Sequence, residues 1–182
     1  MFDAAEALAL VERFDVQGDE LGLKSKELIV SLLRHSVSPF SREQFNPGHI
    51  TCTALIFSPD RQQVLLMWHH RFQQWLLPGG HVERFDAALA DTARREAREE
   101  TNVCLDDDAG GILVGMDVHG IPPKKKEPYH LHHDLVFAMR ASSDEIAVTE
   151  EAPRVAWCNL AALASYDVPA NIMRAAYRAG SR

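Results

Sequence analysis

Arg95-Glu96-Ala97-Arg98-Glu99-Glu100 is the stretch that decides how this 182-residue chain is read, and it lies 15 residues beyond the pair Gly79–Gly80. On a helix, carboxylates at relative positions 0, +3 and +4 are surface neighbours. Like charges held about 5–6 Å apart repel by roughly 0.7 kcal/mol per pair in water and about 3 kcal/mol at an effective dielectric near 20. A divalent cation offsets that repulsion, since hard cations take oxygen ligands. The other reading is a solvated face neutralised by arginines. At about 100° per residue, Arg94 and Arg98 point away from the acids, and only Arg95 lies within (i, i+4) reach of Glu99. Ala90, Ala93 and Ala97 form a separate stripe of small residues suited to packing on a sheet.

Working outward, Trp75-Leu-Leu-Pro-Gly-Gly80 reads as a short apolar strand ending in a tight turn, with the glycines chosen for positive φ or for close approach to the backbone. The chain then runs through His81-Val82-Glu83 to Asp86, which the pattern marks as the N-cap of a helix over about 87–101. Asn102 suits the left-handed position just past the helix end. Glycine turn and acidic helix form one loop–helix unit, in which turn carbonyls and helix carboxylates can share a cation.

Residues Gly80–Val103 resemble the Nudix box, G-x5-E-x7-R-E-U-x-E-E-x-G-U with U apolar, and the half from Arg95 to Val103 matches closely. Asn102 stands where the box has its second glycine, and one extra residue lies between Gly80 and Arg95. The first box glutamate therefore maps to Asp86 or to Ala87, according to where the extra residue falls. Gly48–Phe57, Val64–His70 and Trp75–Glu83 are similar to the opening of a Nudix domain, and Arg154–Ala164 to its closing strand and helix.

The resemblance implies an α/β fold, a Nudix-type α/β/α sandwich with a central mixed sheet. It also implies magnesium, with manganese as a substitute, held by Glu96, Glu99, Glu100 and the Gly79 carbonyl. The implied reaction is hydrolysis of a nucleoside diphosphate linked to another moiety X. Glu99, Glu100 and Arg95 are the catalytic candidates, with Arg95 orienting carboxylates. Gly80, His81 and Glu151 are candidates for contact with substrate. Glu150 shares the loop of Glu151 and is an equal candidate for metal or base chemistry.

Two other classes stay open. A Nudix-like module that binds a nucleotide without cleaving it finds support in the displaced first acid. An isoprenoid-diphosphate isomerase needs a cysteine in the cleft, and Cys52 reads better as a small buried apolar residue.

Composition suits one globular domain with an appendage. No apolar run reaches the roughly 18–20 residues that span a bilayer, and the acidic N-terminus lacks the basic start of a secretory signal. Cys52, Cys104 and Cys158 are odd in number and widely spaced, which predicts no disulfide framework and a cytoplasmic setting. A net charge of −7 opposes binding to polymeric nucleic acid or anionic membrane, yet permits a small phosphorylated substrate bridged by a cation.

The first 47 residues form a helical appendage and 48–182 the catalytic domain. One helix is expected over 2–14, with Phe2, Ala5, Leu8, Ala9 and Val11 on its apolar side. A second is expected over 20–36, burying Leu21, Leu28, Leu32 and Leu33. This appendage reads as a packing cap, or as a dimerisation arm or substrate lid. Strands are expected at 50–57, 63–68, 112–119, 131–140 and 154–158, and helices at 159–164 and 168–179. Asp106–Asp108, Gly110–Gly111 and Pro122–Lys126 read as loops, and the three lysines at 124–126 as mobile charge or a phosphate contact.

In Tyr129-His-Leu-His-His-Asp134 an extended chain places His130, His132 and Asp134 on one face. These groups suit a cleft lining, bonding within the sheet, or a transition-metal site. His69, His70 and His119 carry less information, and His133 falls on the opposite face of the strand.

Overall fold

A computed structural model describes residues 3–16, 18–106, 111–124, 126–150 and 152–180. Expectations placed on Phe2, Asp107, Asp108, Gly110, Lys125 and Glu151 lie outside the described residues.

The elements run α1 (Ala4–Arg13), α2 (Glu20–His35), β1 (Gly48–Phe57), β2 (Gln63–His69), β3 (Gln74–Leu76), β4 (Gly79–His81), α3 (Leu89–Thr101), β5 (Ile112–Ile121), β6 (His130–Arg140) and β7 (Val155–Asn159). A 3-10 helix (Leu160–Tyr166) and α4 (Ala170–Gly180) follow. The sheet order is β3-β2-β1-β6-β5, with β4 added to β1 and β7 to β2. β1 and β6 run parallel along their whole length, and the other pairs are antiparallel. The sheet is therefore mixed, as expected.

Alternation along β1 divides the two layers. Ile50, Cys52, Ala54 and Ile56 enter one core with α1, α2 and α3, while Leu55 and Phe57 enter the other with the 3-10 helix and α4. Small residues on α3 let it lie close to the sheet: Ala93 and Ala97 are fully buried.

The N-terminal helices share the first core, through Ala7, Val11 and Phe14 and through Ile29, Leu32 and Leu33. Their buried stripes are rotated from expectation. Leu21 and Leu28 are 57% and 49% exposed, and Gly22, Ser25 and Ile29 are buried instead. Positions 22, 25, 29 and 32 fall on one helical face, and small side chains at its N-terminal end bring α2 close to its neighbours. In α1, Ala5 is exposed and Ala7 takes the inward position.

Two local expectations around β4 are corrected. Gly79 and Gly80 do not form a tight turn; they are strand residues, paired with Thr53 and Cys52 of β1. Neither has positive φ. Asp86 does not cap α3 either. The N-cap is Ala88, with no side-chain hydrogen bond, because the Asp86 carboxylate is engaged by Arg95, Thr92 and the Glu83 amide. At the other end Asn102 adopts the left-handed conformation (φ 56°, ψ 22°) and donates its N–H to the Arg98 carbonyl, closing the helix without glycine.

Candidate metal and substrate site

The site is assembled where β4 passes between β1 and α3. Gly79 is glycine because a Cβ there would lie 2.7 Å from the Cys52 carbonyl and from Thr53. Gly80 is glycine because a Cβ would lie 2.6 Å from the Glu96 carboxylate. With both side chains missing, α3 sets two acids directly against a bare strand. The Gly79 amide donates to Oε2 of Glu100 at 2.9 Å, and Glu100 is 8% exposed.

Arg95 holds the acids in place. Its Nε and Nη2 donate to the two oxygens of Asp86 at 2.9 and 3.0 Å. Nη1 donates to Glu96 at 2.8 Å and to Glu99 at 3.1 Å, and Nη2 also donates to the His81 carbonyl at 2.8 Å. A guanidinium has five N–H donors, and these five bonds engage all of them. Arg95 is thus built into the protein and orients carboxylates, without a donor to spare for a ligand. Its own pKa is raised, first by the Asp86 hydrogen bond and then by Glu96, against the opposing effect of burial.

Asp86 is the acid that meets the motif arginine, so of the two positions open in the sequence it is the one on the site. Its side chain is 2% exposed. Burial pushes its pKa up, but hydrogen bonds from Arg95, the Glu83 amide and Thr92 outweigh this and hold it below the ordinary carboxylate value.

A cavity of about 530 Å³ opens beside β4, with Gly79, Gly80, His81, Glu96 and Glu100 along one side. Glu99 is not on that wall; its carboxylate is 57% exposed and pairs with Arg95. Glu150 is exposed. A shallower hollow of about 710 Å³ beside Trp75 and Tyr166 carries none of these glutamates.

The cavity lining also holds His132 and Asp134, the strand face suited to a cleft, together with Thr51, Thr53 and Asp117, which the sequence reading passed over. Asp134 is buried, and Thr51 and Thr53 donate to its Oδ1 at 2.9 and 3.0 Å. Burial raises its pKa, against the pull of His119 and the two threonines. Asp117 and His119 of β5 lie beside Asp134 and His132 in register. The available signal was the alternation His49, Thr51, Thr53 within an otherwise apolar strand, which marks one face of β1 as polar. His81 and His132, half-buried on the same face, are both drawn down in pKa, first by burial and then by neighbouring histidines, His81 to about 4 and His132 further still.

Cys52 is fully buried on the far face of β1, and burial raises its thiol pKa well above the usual value. It is a core residue and supplies no nucleophile to the cavity.

A mixed sheet between helices, with a two-glycine strand clasped to an arginine-organised acidic helix, places the chain among α/β/α sandwich proteins with a carboxylate-lined cleft. The family model of the NUDIX domain matches residues 47–178, and the chain belongs to the Nudix family of hydrolases. Solved structures share the fold. The NUDIX domain of NrtR from Shewanella oneidensis, complexed with ADP ribose, has 20% identity over 84% of this chain and 96% of its own (TM-score 0.53). A NUDIX-family hydrolase from Clostridium perfringens has 19% identity over 73% and 96% (TM-score 0.51). The Ap4A hydrolase of C. elegans, in a binary complex, has 16% identity over 72% and 95% (TM-score 0.50). No curated protein matches the chain.

Proposed function

We propose that the chain is a magnesium-dependent pyrophosphohydrolase acting on a nucleoside diphosphate linked to a second moiety X. The observation that carries this reading is the clasp of Glu96 and Glu100 against the bare Gly79–Gly80 strand. The donor set suits a hard cation: Glu96, Glu99, Glu100 and the Gly79 carbonyl are all oxygen donors. Bound there, magnesium supplies charge neutralisation and a bound water of lowered pKa.

The chain's own residues do the rest. Asp86 and Arg95 fix Glu96 in its rotamer, and the Gly79 amide fixes Glu100. Glu99, exposed and paired with Arg95, or a loop acid takes the proton from the attacking water. Gly80 and His81 line the path of a diphosphate into the cavity, and Glu151, outside the described residues, stays a candidate for the same ligand. ADP ribose, bound in one structural neighbour, and Ap4A, which names the activity of another, head the list of compounds to test. Dinucleoside polyphosphates, nucleotide sugars and oxidised nucleotides follow. No helix among the described residues is long and apolar enough to cross a membrane. Three unpaired cysteines, two of them buried, support a reducing cytoplasmic setting.

The test is a magnesium-dependent screen of these compounds with product identification in ¹⁸O water, run on wild type, Glu99→Gln and Glu100→Gln. We expect wild-type turnover of at least one diphosphate and loss of most of it in both variants, with unchanged circular dichroism. Wild-type rates in either folded variant contradict the assignment. Tight ligand binding by wild type with no product formed favours a non-hydrolysing binder.

A further inference from the structure

We propose that His49, His81 and His132 form a binding site for a transition-metal ion of zinc's class, separate from the glutamate site. Three strands converge to build it. His49 of β1 pairs in register with His132 of β6, and His81 of β4 pairs with Thr51, two residues along β1. Each ring offers one nitrogen, and the three nitrogens lie within 4.8 Å of one another. A tetrahedral zinc with Zn–N bonds of about 2.05 Å needs nitrogens about 3.4 Å apart, so the three rings would draw together on binding.

The second observation is an orphaned atom. His49 is 1% exposed, and its Nδ1 lies 3.1 Å from the Gln44 carbonyl. A carbonyl only accepts, so Nδ1 carries the proton and Nε2 is left with a bare lone pair. That Nε2 is buried and has no hydrogen-bond partner among the described residues. A buried polar atom left unsatisfied costs about 1–3 kcal/mol. A metal ligand whose other ring nitrogen donates to a backbone carbonyl is a common arrangement for histidine. Of the readings open for the strand face of His130, His132 and Asp134, metal binding falls here to His132 with partners on two other strands, while Asp134 is bonded to threonines and the Nδ1 of His130 lies 2.8 Å from the Pro128 carbonyl.

The donor chemistry separates this site from the first. Imidazole nitrogens suit zinc and its neighbours, whereas magnesium takes oxygen. Three protein ligands leave one coordination position open, and His81 and His132 line the cavity while His49 lies behind them. A metal held there would border the same cavity as the glutamate site, because His81 and His132 line it. The inference is independent of the hydrolase assignment and stands or falls on metal binding alone.

The test is direct metal binding by the full chain. Zinc is added in the presence of excess magnesium, unbound metal is removed by dialysis, and content is measured by mass spectrometry. Cobalt substitution is followed by visible absorption, and the imidazole ¹⁵N resonances are followed during zinc titration of wild type. We expect one zinc per chain, intense low-coordinate cobalt bands, and shifted Nε2 or Nδ1 resonances for three histidines. His132→Asn and His81→Asn should each weaken zinc binding by more than the roughly 10–100-fold that loss of an outer-shell partner costs, and Glu96→Gln and Glu100→Gln should leave it intact. Absence of stoichiometric zinc overturns the proposal. So does zinc that is lost in the glutamate variants but kept in the histidine variants. The wild-type resonances decide the matter even where a histidine variant fails to fold.

Discussion

At the scale of single residues, the site depends on one saturated guanidinium. Arg95 spends its five donors on Asp86, Glu96, Glu99 and the His81 carbonyl, so each acid's position depends on the others. Asp86 is the buried anchor, and removing its charge leaves Arg95 short of its bidentate partner. Breaking a buried pair by removing one member costs about 3–5 kcal/mol; with Glu96 and Glu99 still present, Asp86→Asn is expected at the lower end, about 3 kcal/mol. The Asp86 pKa is held below its unfolded value near 3.9. Its contribution is therefore present in full above that value and is lost as pH falls through the folded one. Urea unfolding of wild type and Asp86→Asn should show the full difference near pH 7 and convergence below about pH 4. A gap that does not change with pH contradicts this role.

At the scale of elements, the two glycines of β4 have different jobs, and substitution separates them. A Cβ on Gly79 meets the backbone of β1, which has no room to give. Gly79→Ala should destabilise the fold by about 1–3 kcal/mol, the usual cost of overpacking. A Cβ on Gly80 meets the far end of the Glu96 side chain, which can swing away. Gly80→Ala should keep most of its stability and lose magnesium affinity by about tenfold or more, some 1.4 kcal/mol. Thermal melts and magnesium titrations of the two variants check the split; equal behaviour in both contradicts it. The acidic helix was legible because its spacing is local: residues 95 to 100 carry their own geometry. β4 was not, since Gly79 and Gly80 are strand residues only by virtue of β1, and pairing partners distant in sequence leave no periodic mark. Asp86 shows the same limit. It has the composition of an N-cap, and a tertiary partner nine residues on claimed it instead.

At the scale of the molecule, the mixed sandwich was readable from the order of elements. The parallel pairing of β1 with β6, which joins residues about 80 apart, was not. That pairing brings His49 to His132 and Thr51 to Asp134, and it turns scattered polar residues into one wall of the cavity. The N-terminal helices were legible as helices, but their buried faces were not, because Ser25 and Ala7 face inward while Leu21 and Leu28 face out. In a chain of net charge −7 that gathers several of its acids at one helix face, the proposed cation is what would let that face approach an anionic ligand.

Anomalous diffraction from wild-type crystals soaked in manganese tests that central claim most directly. A peak between the carboxylates of Glu96 and Glu100 and the Gly79 carbonyl, absent from Glu100→Gln crystals, is the predicted result. Glutamates still held by Arg95 and the Gly79 amide, with no anomalous density between them, would contradict it.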